Sequence, residues 1–192
     1  MGSNPSFGGN EYYPAIDWTD EDLVDFFDFA FSGKHAQIKD GIYARQADGS
    51  YGSFVRTWAG IRGRAKELLQ RNPNPGMDYA MTEIVRCRSR DEIGVESARD
   101  HCADLYLERT IELSSARVIV ALGSQVRGWL RKRWHLQPRP VSEIELNGMT
   151  RMIAFLPHPT SFGSKTFESV MPDELARLRA VLAECDQVRE AN

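Results

Sequence analysis

Three segments hold polar residues in settings that would fix their direction. The first is Leu156-Pro157-His158-Pro159-Thr160-Ser161-Phe162. Prolines on both sides of the histidine stiffen the backbone and aim the imidazole. An apolar run precedes it, so the ring stands at a strand end. There it suits donation of a hydrogen bond to a developing anion. A capping or core histidine would read the same way. The second segment is Gly2-Ser3-Asn4-Pro5-Ser6-Phe7-Gly8-Gly9. Its small residues let backbone approach a ligand, and exposed N–H groups can hold a water or a phosphate. A loose terminus has the same composition. The third is Thr82-Glu83-Ile84-Val85-Arg86-Cys87, which ends on a cysteine and is followed by Cys102. Two thiols are too few for a metal site, and buried free cysteines are the simpler reading. A fourth stretch, Ala121-Leu122-Gly123-Ser124, reads as strand, tight turn and helix.

These segments need a scaffold to bring them together. The 192 residues suggest one domain, 1–192, with a single core. No apolar run approaches the roughly 20 residues that span a bilayer. The start of the chain has no basic flank leading into an apolar stretch, so no signal peptide is expected. Three cysteines without a pairing pattern suit a reducing compartment, and a cytoplasmic monomer is expected. The net charge of −3 gives no global case for nucleic acid, so a DNA binder would need a local basic face. Arg127, Arg131, Lys132 and Arg133 form one candidate, while Asp17, Asp20, Glu21, Asp22, Asp25 and Asp28 gather elsewhere. Each cluster also reads as an ordinary solvated helix face.

Periodicity supplies the elements. Residues 1–16 read as loop. Thr19 or Asp20 caps a helix running to about Phe31, with Leu23, Phe26, Phe27, Ala30 and Phe31 at helical spacing and Gly33 as its stop. A second helix covers Phe54–Gln70, with Val55, Trp58, Ile61, Ala65, Leu68 and Leu69 inward, and Asn72-Pro73-Asn74-Pro75-Gly76 ends it. Tyr79–Val85 is a short apolar run and reads as a buried strand. Val95–Leu113 is a helix, Arg117–Leu122 the clearest strand, Gln125–Trp134 a helix, Met152–Leu156 a strand and Pro172–Cys185 a closing helix. Strands alternating with helices predict an α/β fold with a mostly parallel sheet. Ligands of such sheets bind beyond the carboxyl ends of the strands, where the segments above would lie.

Taken in order, GSNPS, TEIVRC, CADLYL, VIVALG and LPHPT resemble the motifs of the uracil-DNA glycosylase superfamily. The resemblance covers roughly residues 1–10 and 78–170 and leaves 11–75 unmatched. It implies a three-layer α/β/α sandwich around a four-stranded, mostly parallel sheet. Asn4 matches the residue that positions the attacking water. An amide orients water without acting as a strong base, which suffices if the glycosidic bond breaks largely before water attacks. His158 matches the donor to the O2 of the base, stabilising its negative charge as it departs. Phe7 resembles the ring that stacks on the extruded base, and Phe162 falls where some branches carry an apolar wedge. Ser124, Arg127, Thr160, Ser161, Ser164 and Lys165 are the implied DNA contacts.

Three departures stand out. Thr160 replaces the usual serine but keeps a hydroxyl. Cys87 and Cys102 match only two of the four ligands of the iron–sulfur branches, so no cluster and no other cofactor is expected. The family places a central strand just before its first motif. Here that motif opens the chain, so either upstream residues complete the sheet or it is built differently.

The implied substrate is a flipped pyrimidine nucleotide in DNA, its base hydrolysed away to leave an abasic site, in base-excision repair or phage defence. In the family an asparagine near the end of the second strand reads the base edge. Glu83 takes that place here, with Thr82 beside it. An ionised carboxylate only accepts hydrogen bonds. It would repel uracil O4 and welcome the N4 amino group of a modified cytosine. Alternatively Glu83 pairs with Arg86 or Arg88 and never meets the base. Two other functions compete with excision: a catalytically weak sensor of damaged or modified DNA, and a hydrolase of free nucleosides.

Overall fold

A computed structural model of the chain describes residues 10, 12, 17–22, 37–85 and 93–190. They divide between two compact units that meet in sequence between Ala80 and Met81.

In the first unit an antiparallel sheet is built from β1 (Ile38–Lys39), β2 (Tyr43–Arg45) and β3 (Tyr51–Phe54), in that order. Both of its turns use an Asp-Gly pair. Asp40 and Gly41 have φ of 54° and 73°, and the Ile42 N–H donates to the Lys39 carbonyl at 3.0 Å. Two successive positive φ values match the right-handed twist of the strands they join. The second turn closes through Gly49, at φ 83°, whose N–H donates to the Gln46 carbonyl at 2.9 Å. Helix α1 (Arg56–Leu69) follows directly, two residues later than the expected start because Phe54 belongs to β3. Ala65 and Leu68 are its buried positions. Gln70 ends it in the left-handed conformation.

The expected strand over Tyr79–Val85 does not form. Only single bridges occur there, one of them Pro75 with Tyr79. The cause is local. The Asp78 carboxylate accepts two hydrogen bonds from Arg71, at 2.6 and 2.7 Å, and one from the Asn74 N–H at 2.6 Å. The chain around the two prolines is thus folded on itself and cannot run straight into a ladder.

The second unit carries the other sheet, in the order β4 (Val118–Leu122), β6 (Met149–Leu156), β5 (Val141–Leu146). β4 and β6 are parallel and in register from Val118↔Met152 to Leu122↔Leu156. β5 is antiparallel to β6. The described residues therefore form a mixed α/β structure with two three-stranded sheets, one mixed and one antiparallel. This corrects the expected four-stranded, mostly parallel sheet. The reason lies in Asn147-Gly148, whose φ values of 52° and 70° make a tight turn between Leu146 and Met149. A two-residue turn joins antiparallel strands only; a parallel neighbour needs a crossover.

β6 is the central strand, buried from Arg151 to Leu156. The run Val95–Leu113 is helical throughout, as expected: α2 (Val95–Cys102), a π-helical turn at Ala103–Leu107 and α3 (Glu108–Leu113). α4 (Ser124–Arg133) follows β4, and α5 (Phe167–Val170) and α6 (Pro172–Glu190) close the chain. Ile119, Ala121, Ile153, Phe155 and Ile144 join Val95, Cys102, Leu107 and Ile111 of the long helix and Val126, Trp129 and Leu130 of α4 in one apolar cluster. The alternate residues Leu122, Met152, Ala154 and Leu156 are buried as well, as are Leu175 and Leu178 of α6. No helix among the described residues is long and apolar enough to cross a membrane.

Among the described residues of this unit the buried charged one is Arg151, 1% exposed. Its guanidinium donates to the Ala116 carbonyl at 2.6 Å and the Ser114 carbonyl at 2.7 Å. Ser114 caps the C-terminus of α3, so the cation meets the negative end of that helix. Burial lowers its pKa from the ordinary arginine value. Arg151→Met keeps the bulk and orphans both carbonyls. It is expected to lower unfolding free energy by about 2 kcal/mol, read as an earlier urea midpoint with unchanged slope. An unchanged midpoint would show that these carbonyls need no protein partner.

Candidate functional site

Because Leu122 and Leu156 are register partners, the turns that leave β4 and β6 emerge side by side. They are joined at once: the Gly123 N–H donates to the Leu156 carbonyl at 2.9 Å. Gly123 has φ 91° and ψ 170°, a conformation open to glycine and strained for other residues. A Cβ placed on it would lie 3.6 Å from His158 Cβ and 4.0 Å from Cδ2. The imidazole thus rests close to bare backbone. This is the alignment of Ala121-Leu122-Gly123-Ser124 with Pro157-His158-Pro159 expected at the carboxyl ends of parallel strands.

The loop after β6 holds the histidine by its own atoms. The Ser161 N–H and hydroxyl both donate to the His158 carbonyl, at 2.9 and 2.8 Å. His158 Nδ1 lies 2.8 Å from the Thr160 hydroxyl and 3.4 Å from the Thr160 N–H. A backbone N–H can only donate, so Nδ1 is an acceptor and the neutral ring carries its proton on Nε2. The Thr160 hydroxyl is thus engaged by the histidine. At the loop's tip Phe162 is fully exposed, and Gly163 turns the chain at φ 83°. Ser164 is exposed and Lys165 half-buried. Thr166 and Ser169 then exchange side-chain-to-backbone hydrogen bonds at 3.0 and 3.1 Å, capping α5. Leu156 and Phe167, at 1% and 0% exposure, anchor the two ends. A fully solvated phenyl ring is thus held out from the protein between two fixed points.

Glu83 precedes the buried pair Ile84-Val85, at 0% and 2% exposure. Its Oε2 is buried and has no hydrogen-bond partner among the described residues. Burial pushes its carboxyl up to about 7 from an ordinary 4.5. Thr82 beside it is half-buried. Arg86 and Arg88, the alternative partners for Glu83, lie outside the described residues, as do Asn4, Phe7 and Cys87. Cys102 sits in the apolar cluster. Among the described residues no group of three or more His, Cys, Asp or Glu side chains is placed to hold a metal ion.

The basic cluster on α4 is less uniform than its spacing suggests. Arg131 lies over the Phe155 ring, 4.9 Å from its centroid, and donates to the Arg139 carbonyl at 3.0 Å. Arg133 pairs with Glu108 at 2.5 Å. Asp100 is held below the usual carboxylate range, chiefly by its hydrogen bond from Arg99 and to a smaller degree by the Lys132 charge. Three of the four cations are thus directed at this unit's own groups. Ser124 and Arg127 occupy the first turn of α4, next to Gly123, whose carbonyl accepts from the Arg127 N–H at 3.3 Å. Arg151 is absent from the residues expected from sequence. A lone arginine inside an apolar strand pattern, Met-Thr-Arg-Met-Ile-Ala, was the available signal.

Comparison of the chain with protein-family models, with curated proteins and with solved structures finds no match in any of the three, so a functional reading rests on the geometry of this loop pair.

Proposed function

We propose that the chain is a monofunctional DNA glycosylase that takes a pyrimidine, uracil or a modified cytosine, out of the helix and hydrolyses its N-glycosidic bond. One observation carries the reading: a single anchored loop presents both an imidazole whose Nδ1 is held by Thr160 and, at its tip, a fully solvated phenylalanine. Excision from a duplex needs both functions. Something must fill the gap left by the base, and something must stabilise the anion as the base leaves.

In this mechanism Phe162 enters the vacated stack. Ser124, Arg127, Ser161, Ser164 and Lys165 contact the neighbouring phosphates, and Thr160 keeps the His158 ring oriented. Glu83 and Thr82 meet the edge of the extruded base. His158 donates from Nε2 to the base O2 as the C1′–N1 bond lengthens, and the bonding electrons go to the base. Water oriented by the Asn4 amide adds to the sugar C1′, its proton passing to solvent. The base leaves as an anion held by the His158 hydrogen bond and takes up a proton from solvent, and the DNA keeps an abasic site.

The test uses oligonucleotides that each carry one uracil or one cytosine derivative. After incubation and alkali, a strand break is expected at the target base and nowhere else. No break at any pyrimidine, at protein in excess, would overturn the reading. Binding without breakage would point to a sensor. Phe162→Ala adds an internal check. It is expected to slow release from duplex about tenfold and to leave release from single strands nearly unchanged, because only the duplex has a gap to fill. The melting temperature should not move, since the ring is fully exposed. Equal losses on both substrates would remove the wedge from the mechanism.

A further inference from the structure

The segment unmatched by the glycosylase motifs contains the β1–β3 sheet, and one face of that sheet bears a pattern hidden in the linear sequence. Register partners on neighbouring antiparallel strands share a face. The pairs Lys39↔Tyr43, Tyr43↔Phe54 and Arg45↔Tyr51 therefore set two cations and three aromatic rings on one side. A register irregularity between Tyr43 and Arg45 lets Tyr51 and Phe54 share it. The pair Ile38↔Ala44 faces the other way, at 5% and 3% exposure. On the outer side Tyr51 is 39% and Phe54 53% exposed. Cations and rings alternate in space as well. Lys39 Nζ lies 5.3 Å from the Tyr51 ring centroid, and the Arg45 guanidinium 4.5 Å from that of Tyr12. Tyr12 in turn lies 5.1 Å from Trp18.

We propose that this outer face binds single-stranded nucleic acid, with Tyr51 and Phe54 stacking on bases and Lys39 and Arg45 meeting phosphates. The mixture decides the occupant. The centre of a protein-docking patch is depleted in lysine and other charged groups. A nucleic-acid platform needs flat rings for the bases and cations along the backbone track, which is what the paired residues supply. The acids of the strand connections stay at the ends of the sheet. Asp40 sits in the first turn, and Asp48 in the second, where its carboxylate accepts from the Ser50 N–H and hydroxyl at 2.9 and 2.6 Å. Every base has a π face, so the contact is tolerant of sequence. This inference shares no residue with the proposed glycosylase site and stands without it.

The experiment is fluorescence anisotropy of the full chain with a labelled oligo(dT), at two salt concentrations. Oligo(dT) contains no uracil and no cytosine, so binding is read independently of excision. Wild type is expected to bind, more weakly at the higher salt. The Tyr51→Ala/Phe54→Ala double variant should lose more than about tenfold in affinity. Lys39→Glu should weaken binding and flatten its salt dependence. If the double variant does not fold, as judged by circular dichroism, Lys39→Glu and Tyr51→Leu decide in its place, the latter keeping an apolar side chain while losing the ring. No binding by wild type, or unchanged affinity in the folded variants, overturns the proposal and leaves the face to a protein partner.

Discussion

Replacing His158 with alanine is expected to reduce base release by roughly 10²–10³-fold, the usual loss when one preorganised donor to a developing anion is removed. The effect should fall on the chemical step, because the uncharged Nε2–H gains most from its hydrogen bond when charge has built up on the base. Single-turnover rates should drop while affinity for substrate DNA stays within a few-fold. His158→Gln, which retains an N–H donor, should recover part of the rate. Thr160→Val offers a milder version. It removes the hydroxyl 2.8 Å from Nδ1 and keeps the backbone donor at 3.4 Å. Should His158→Ala release bases at the wild-type rate, the imidazole is structural and the mechanism proposed here fails.

The part of this site that could be read from sequence is the part made by neighbours along the chain. Pro157 and Pro159 announced a rigid histidine, and the β-branched run at Val118–Val120 announced a strand covered on both faces. Each depends on a few consecutive residues, and each falls where expected. The helix Val95–Leu113 was legible for the same reason, although nothing in its periodicity marks the π turn at Ala103–Leu107. The hairpins are legible too. Asp40-Gly41, Asp48-Gly49 and Asn147-Gly148 are the strongest short-range turn signals in the chain. The last of them marks Val141–Leu156 as an antiparallel pair, at odds with a mostly parallel sheet. What no local reading could give is the set of partners from distant elements. Arg131 and Arg133 look like free cations until Phe155 and Glu108 are brought beside them. The outer face of β1–β3 exists only once register pairs Arg45 with Tyr51.

Glu83 belongs to that second class, and its burial makes stability depend on pH. The carboxyl is pushed up to about 7 in the folded chain, against an ordinary 4.5. Below about pH 4.5 the folded and unfolded chains both hold the proton and burial of the group costs little. As pH rises from 4.5 towards 7 the unfolded chain sheds the proton first, so folding becomes progressively less favourable. Above pH 7 both states are ionised and the penalty is complete, on the order of 3 kcal/mol. Glu83→Gln removes the ionisation and nearly keeps the shape. It is therefore expected to raise the melting temperature at pH 8 by several degrees and to leave it unchanged at pH 4. A gap of the same size at both pH values would mean that packing, not charge, separates the two side chains. The same protonation bears on the base. A protonated carboxyl offers one donor and one acceptor, the pattern that suits uracil O4 and N3–H. The ionised form offers acceptors alone, which suit the amino group of a cytosine. Uracil release should then fall, and release of cytosine derivatives rise, as pH crosses about 7, whereas Glu83→Gln should keep the uracil preference throughout. Parallel pH profiles for the two bases in wild type would place Glu83 away from the base edge, with its effect confined to stability.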